Sequence, residues 1–495
     1  MYTLLTKELM KKADALTISD HHIPALVLME RASLCFVDTL LAECPKAGSF
    51  LVVCGSGNNG GDGLCIARLL HLKGFAVRPV MIGNPDSMTA ETRNQYDTAV
   101  SYGLKVETEL GEDCTGFDVV IDAIFGVGLS RNVEGRYAEI IGRMNSLPGF
   151  KAAVDIPSGI DGDTGKVLGT AFLADLTVTF AYKKPGLLLY PGRNAAGKLV
   201  VADIGIYCSE EASPWHSMGK EDLALLPERE RNGNKATFGK VLIVAGSRGM
   251  CGAAYLSAKA ALSMGCGMVM IATPEENRVP LQTMLPEAIV ECGGDAQTLE
   301  KSYNWCDVLV LGPGLGTSDY GTRTAEWFLK RNTQERKPMV LDADGLNLLA
   351  AHPEWKTYLG SHILITPHPG EMARLVQRPA AAVTEDPCGT AAGWAKENGA
   401  LCVLKGGCSV VTDGNAFYLN ESGNDGMATA GSGDVLSGIL GGLFACKGIS
   451  LESSALGVYI HGLCGDLAAA EYGKRFMKAG HLIDMLAGVE KQCQM

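Results

Sequence analysis

The sequence predicts an α/β protein made of two doubly wound α/β domains. Short apolar runs alternate with helical runs from residue 50 to the end, as parallel α/β layers require. A polar stretch at 208–237 breaks that alternation once. Glycine supplies 61 of 495 residues, about 12% against a usual ~7%, which predicts tight turns and close backbone approaches at strand ends.

In the first half the strand-like runs are SFLVVCG, FAVRPVMIG, FDVVIDAIFG, KAAVDIP, LTVTFAY and KLVVADIGI. Helical runs follow as GLCIARLLHLKG, a stretch ending at Tyr102, and another near 137–145. Residues 208–237 lack a long apolar period, so the linker falls near Cys208 to Lys220, with domains of 1–212 and 213–495. The second series opens with GKVLIVAGS and a small-residue helix over 252–264. It continues through CDVLVLGPGLG, KPMVLDADGLNLLA, SHILITPHPGEMARLV and LCVLKGGCSVVTDGNAFYLN to a helical block after Gly431.

A formal net charge of -12 without a basic run argues against a nucleic-acid partner. An anionic ligand would have to be held by local amides and a few cations. No apolar run reaches the ~18 residues of a membrane span, and charges run through MYTLLTKELMKKADAL, a helix start rather than a secretion signal. The sixteen cysteines form no C-x-x-C pair; Cys54, Cys65, Cys402 and Cys464 sit in apolar runs and read as reduced thiols of a cytoplasmic protein.

The turn GSGNNGGDG at 55–63 satisfies G-x-G-x-x-G through Gly55, Gly57 and Gly60, but the next strand does not close on an acidic residue. That weakens an ordinary dehydrogenase reading. What remains is a set of amides at a helix start, able to hold a phosphate beside Asn58, Asn59 and Asp62. Asp122 and Asp155 end two further strands and should face the same crevice. Asn59, Asp122 and Ser158 offer oxygens to a hard cation, and Asp155 can handle protons or bind a ribose or ring amide.

The series AD (13–14), IPALVLMERA (23–32), NNGGDG (58–63), DAIFGVGLSRNVEG (122–135), VDIPSGIDGDTG (154–165) and KPGLL (184–188) resembles the NAD(P)H-hydrate epimerase domain, over about residues 1–210. The resemblance implies a Rossmann-like fold. It implies that Asn58, Asn59, Gly60, Gly61, Asp62, Gly126, Val127, Gly128, Leu129, Ser130, Arg131, Asn132 and Asp155 bind the hydrate, with Asp155 catalytic. Asn59, Asp122 and Ser158 would hold K+. Lys184, preceding Pro185 and Gly186, has two readings, an assisting role in the site and, preferred, a surface salt-bridging lysine; His22 stands where the family commonly has glycine.

In NDGMATAGSGDVLSGIL (424–440), the amides of Gly431, Ser432 and Gly433 suit the charge developing in phosphoryl transfer, and Asp434 can take a hydroxyl proton. Lys405 in KGGCS adds a cation, and His368 in PHPGE can orient a ribose or phosphate. Asp342 and Asp344 read as helix caps ahead of Mg2+ ligands. With GSRGMCGAA and GPGLG, these motifs resemble the NAD(P)H-hydrate dehydratase domain of the ribokinase-like group, over about 222–492. The resemblance implies that Lys405, Gly406, Gly407, Cys408, Ser409 and Gly433 bind the nucleotide. Ala253, Gly316, His368 and Asp434 would meet the hydrate, with Asp434 catalytic and Mg2+ assisting.

Together the resemblances imply a cytoplasmic enzyme, a homo-oligomer, that repairs hydrated NADH and NADPH. The first domain would interconvert the R and S hydrates; the second would dehydrate the S form with cleavage of ADP, the nucleotide of the bacterial fusion, although the residues themselves do not choose between ADP and ATP. A small-molecule kinase carrying a dinucleotide-sensing first domain is the competing reading.

Overall fold

The computed structural model describes residues 1–208 and 213–493. The chain divides into two compact units, Thr3–Trp215, and His216–Met495 together with Met1–Tyr2. The expected boundary at 212/213 borders residues 209–212, and those four lie outside the described residues. Residues 1 and 2 were expected in the first domain. They join the second unit because the terminal ammonium pairs with Asp222 and the Tyr2 hydroxyl donates to Glu221 at 2.7 Å.

In the first unit six parallel strands run in the order Ala76–Met81, Ser49–Cys54, Val119–Ala123, Phe150–Val154, Leu176–Phe180, Lys198–Ala202. Alternation along Ser49–Cys54 explains the layers. Phe50, Val52 and Cys54 pack with Phe36 and Leu40 of the helix Ala25–Glu43, whereas Leu51 and Val53 pack with Ile141 and Met144 of Gly135–Ser146. Both faces are covered, as a parallel sheet demands. Chain order reverses between Ser49–Cys54 and Val119–Ala123, and ligands of such sheets bind at that reversal. The helix Asn58–Leu72 starts there, so the glycine turn and the loop after Asp122 meet. A Cβ on Gly60 would stand 1.8 Å from the Gly55 carbonyl oxygen, which is why the turn needs glycine.

The second unit's sheet runs Phe417–Leu419, Val410–Thr412, Leu401–Leu404, Ile363–Ile365, Met339–Leu341, Val308–Leu311, Lys240–Val244, Met268–Thr273, Ile289–Cys292. From Leu401–Leu404 onward the pairing is parallel; the pairs joining 401–404, 410–412 and 417–419 are antiparallel. That antiparallel edge was not expected. Its short strands are separated by GGCS and DGNA, turn signals inside what read as one run. Chain order reverses between Lys240–Val244 and Val308–Leu311, which brings the loops before Ala253 and around Gly316 together.

The helix Ser432–Lys447 lies against Cys251–Ser263 through glycines: a Cβ on Gly438 would stand 2.1 Å from the Ser257 carbonyl oxygen. Gly438→Ala should therefore lower the second unit's stability by about 2 kcal/mol, measured as a reduced urea midpoint. A loss under about 0.5 kcal/mol would show that the helices separate at no cost.

Candidate functional site

Each unit carries a site at the carboxyl edge of its sheet. In the first, an open cavity of about 160 Å³ is lined by Asn58, Asp62, Val127, Asp155 and Lys184, with Asp14 from the helix Lys7–Ser19. Asp155 follows directly on the strand Phe150–Val154 at φ 65°, a left-handed conformation that a non-glycine residue holds only where its surroundings impose it. Its Oδ1 accepts from Lys184 Nζ at 2.5 Å, Thr179 Oγ1 at 3.1 Å and the Phe180 amide at 3.0 Å. Lys184 is fully buried, and its ammonium also donates to Thr179 Oγ1 and the Phe180 carbonyl. The expectation of a surface lysine is corrected. KPGLL places Lys184 directly before a buried turn, Pro185–Leu187, and the side chain turns inward to the carboxylate of Asp155 at a strand end.

Asp122 and Ser158 are brought together. The Ser158 hydroxyl and amide both donate to the Asp122 carboxylate at 2.7 Å, and both side chains are fully buried. Burial pushes the Asp122 carboxyl up to about 6 against these hydrogen bonds. Asn59 packs on Gly126, and its buried Nδ2 has no hydrogen-bond partner. Oxygen donors and a buried carboxylate lacking a cationic partner suit a singly charged hard cation.

In the glycine turn the Gly60 and Gly61 amides donate back to the Gly57 carbonyl at 2.8 and 3.2 Å, and the amides of Asn58 and Asn59 lie in the first turn of a helix whose N-cap Gly57 offers no side-chain acceptor. Asn58 is exposed and accepts from Thr89 Oγ1 at 2.6 Å. Of residues 126–132, Val127 lines the cavity and Leu129 packs on the core, while Gly128, Ser130, Arg131 and Asn132 face solvent.

In the second unit Asp434 sits in the first turn of Ser432–Lys447, whose N-cap Gly431 (φ 90°) offers no side-chain acceptor. Asp434 therefore does not cap the helix. Burial, reinforced by the charge of Asp342, pushes its carboxyl up to about 6. Of the three expected amides, that of Ser432 is already spent on the Thr429 carbonyl at 3.3 Å. Lys405 Nζ donates to Asp342 Oδ1 at 2.9 Å and lies 3.9 Å from Glu371 and 3.4 Å from where a Gly433 Cβ would stand. Burial opposes its charge, but Asp342 and Glu371 outweigh burial and raise its pKa. Lys405 and Gly433 thus face one point, whereas Gly406 and Gly407 are exposed and the Gly406 amide donates to Ser409 Oγ within the same turn. Cys408 belongs to that turn and is half-buried.

The capping expectation for Asp342 is corrected as well. Its second oxygen accepts from Ser437 Oγ at 2.6 Å, and the N-cap of the next helix is Ala343. Asp344 accepts from the Gly316 amide at 2.8 Å, which holds the loop that faces Ala253 through Gly314. His368 caps its own helix, accepting from the Gly370 amide at 3.0 Å, and burial with nearby Lys405 lowers its pKa. Glu371, Ser437 and His461 were missed. Glu371 is buried and reads in sequence only as the third residue of a helix start; buried His461 lies 3.0 Å from the Ser432 carbonyl, fixing the turn from below. Among the described residues no cluster of three His, Cys, Asp or Glu side chains forms a metal site.

Residues 25–186 match the family of the YjeF-related protein N-terminus, and residues 241–487 match the NAD(P)H-hydrate dehydratase family. A bifunctional NAD(P)H-hydrate repair enzyme from Moorella thermoacetica is 39% identical, over 98% of this chain and 96% of its own. Its Escherichia coli K12 counterpart is 35% identical over 93% and 88%. This chain belongs to the bifunctional NAD(P)H-hydrate repair enzyme family.

Among solved structures, a ribokinase-like superfamily protein from Enterococcus faecalis V583 superposes with a TM-score of 0.52 at 26% identity, covering 57% of this chain and 98% of that one. The second unit of this family member is accordingly ribokinase-like, and its first is Rossmann-like.

Removing one partner from a buried pair leaves the other uncompensated. Lys184→Met should cost the first unit of this repair-family chain about 3 kcal/mol, seen as a reduced urea midpoint of that unit alone. A cost below about 1 kcal/mol would show that the pair is solvated.

Proposed function

We propose that the chain is a two-activity repair enzyme for hydrated NADH and NADPH. The first unit interconverts the R and S hydrates, and the second dehydrates the S hydrate with cleavage of ADP to AMP and phosphate. The observation that carries this reading is Asp434: a carboxyl with a raised pKa and no capping duty, in the first turn of a helix N-terminus faced by a half-buried lysine. Whole-length similarity to bifunctional repair enzymes supports both halves.

In the second unit Asp434 takes the proton of the ring hydroxyl as its oxygen attacks the nucleotide's terminal phosphorus. The free amides at the Gly433 end and the Lys405 ammonium stabilise the charge gathering on the phosphoryl oxygens. Phosphate then leaves the carbon with assistance from the ring nitrogen's electron pair, and loss of a proton from the adjacent carbon restores the double bond. Esterification is needed because hydroxide is a poor leaving group at neutral pH. Mg2+ would supply charge neutralisation on the phosphates, and Asp344, whose charge acts on Asp434, offers a carboxylate to hold it. Gly406, Gly407, Cys408 and Ser409 would bind the nucleotide, and Ala253, Gly316 and His368 the hydrate.

In the first unit Asp155, locked by Lys184, binds or deprotonates the ring system, and Asn58–Asp62 and Gly126–Asn132 bound the hydrate. K+ would neutralise Asp122 and tie it, through Ser158 and Asn59, to the loops around the cavity. The proposed compartment is the cytoplasm, where the coenzymes are, and the proposed domain limits are 1–212 and 213–495; the oligomer is a proposal of the same standing.

With mixed hydrates and ADP, the enzyme should regenerate reduced-nicotinamide absorbance and release inorganic phosphate. Asp434→Asn should cut that rate by about 100-fold or more with the fold intact. Because Asp434 acts as a base, wild-type turnover should fall as the pH drops through about 6, approaching tenfold per unit. A stable phosphoester instead of free phosphate would indicate a kinase, and no consumption with ADP or ATP would end the reading.

For the cation, KCl should raise the first unit's melting temperature above that in choline chloride at equal ionic strength, and Asp122→Asn should abolish the difference. Equal melting in both salts would remove K+ from this site.

A further inference from the structure

Six titratable side chains line the first unit's cavity. Lys11 and Asp14 come from the helix Lys7–Ser19, Asp62 from Asn58–Leu72, Glu91 from Ala90–Ser101, Asp155 from the turn after Phe150–Val154, and Lys184 from the turn after Leu176–Phe180. Lys184 is fully committed: its three hydrogen bonds go to Asp155, Thr179 and the Phe180 carbonyl. Lys11 is exposed. Asp14 and Asp62 are half-buried at the cavity and, among the described residues, neither carboxyl has a hydrogen-bond or ion-pair partner.

The electrostatics agree with the geometry. Burial raises the Asp14 carboxyl, and burial together with the charges of Asp155 and Asp14 raises Asp62 well above the ordinary carboxylate range. Two carboxyls with no cation assigned to them share a small cavity with a third that Lys184 holds. Asp62, raised the further of the two, is suited to hold a proton and Asp14 to accept one.

We propose that Asp14 is a further catalytic residue of the first unit, exchanging a proton with the substrate in concert with Asp62. This rests on the epimerase reading of that unit. The hydrate's hydroxyl stands on the carbon bonded to the ring nitrogen, so the substrate is a cyclic hemiaminal, which inverts by opening and reclosing. The Asp14 carboxylate takes the hydroxyl proton and the C=O bond forms. The carbon–nitrogen bond breaks, its electron pair passes to nitrogen, and nitrogen receives the proton held by Asp62. Rotation about the neighbouring carbon–carbon bond offers the other aldehyde face. The reverse transfers then close the ring with inverted configuration and return both carboxyls to their starting states. No oxidant or second substrate enters. Asp155, held by Lys184, Thr179 and the Phe180 amide, is placed to accept a hydrogen bond from the substrate.

The test uses the full-length chain and a purified R hydrate. Rates are normalised to the enzyme's own turnover of the S hydrate with ADP, and inversion is followed above the uncatalysed rate from about pH 5 to 9. Asp14→Asn should lower kcat for inversion by about 100-fold with little change in KM, and should remove one limb of the pH profile; Asp14→Glu should restore part of kcat and the lost limb. In ¹⁸O-labelled water the wild-type product should keep the substrate's oxygen. Wild-type kcat and pH profile in Asp14→Asn, or a change in KM alone, would overturn the assignment. One solvent oxygen incorporated per inversion would overturn the ring-opening step. A wild-type chain that inverts nothing would defeat the epimerase reading itself, an outcome read in the control arm and separate from the variant's.

Discussion

At the carboxyl edge of each sheet one lysine, fully buried in the first unit and half-buried in the second, is spent on one aspartate. Lys184 pairs with Asp155 at 2.5 Å, and Lys405 with Asp342 at 2.9 Å. Each pair gives a strand-end carboxylate its own cation. It leaves a second carboxyl in the same place without a cation of its own: Asp62 and Asp14 in the first unit, Asp434 in the second. Proton chemistry near neutral pH requires this inequality, because an acid and a base can coexist only where their surroundings push their pKa values apart. A parallel sheet makes the inequality easy to build. Every strand delivers its last side chain to one edge, so the placing of a single lysine decides which carboxyl is paired.

The sequence disclosed the fold and the outline of both sites because the relevant signals are local. Buried strands such as SFLVVC and KVLIV read as unbroken apolar runs, and Asp434 stood out because small residues precede it at a helix start. Partnerships across the chain were not legible. Lys184 and Asp155 are 29 residues apart, and Lys405 and Asp342 are 63 apart. Nothing in either segment alone tells a lysine that turns inward from one that faces solvent. Asp342 was read as a cap because a helix follows it. Yet it ends the strand Met339–Leu341, and the strand-end rule that identified Asp122 and Asp155 applies to it equally.

Asp14 shows a different kind of illegibility. It lies on a helix with Met10, Ala13 and Thr17 buried, and in sequence it stands only as the second residue of AD (13–14), with no role attached to it. Only its position at the rim of a cavity that also receives Asp62 and Asp155 gives the residue chemical meaning. The helix precedes the sheet, so reasoning confined to strand ends does not reach it.

The two glycine-rich helix starts look alike in sequence and do different work. At Gly57–Gly61 the Gly60 and Gly61 amides bond back to the Gly57 carbonyl, and the glycines let the turn approach Gly55. At Gly431–Asp434 the left-handed Gly431 begins the helix, and its first turn has Lys405 beside it. A helix start with a cation beside it can take up charge developing on a phosphoryl group. The first site gathers Asp14, Asp62 and Asp155 at its cavity instead, groups suited to moving protons. The second can take part in cleaving a phosphoanhydride, and a difficult elimination belongs where that free energy can be coupled to it.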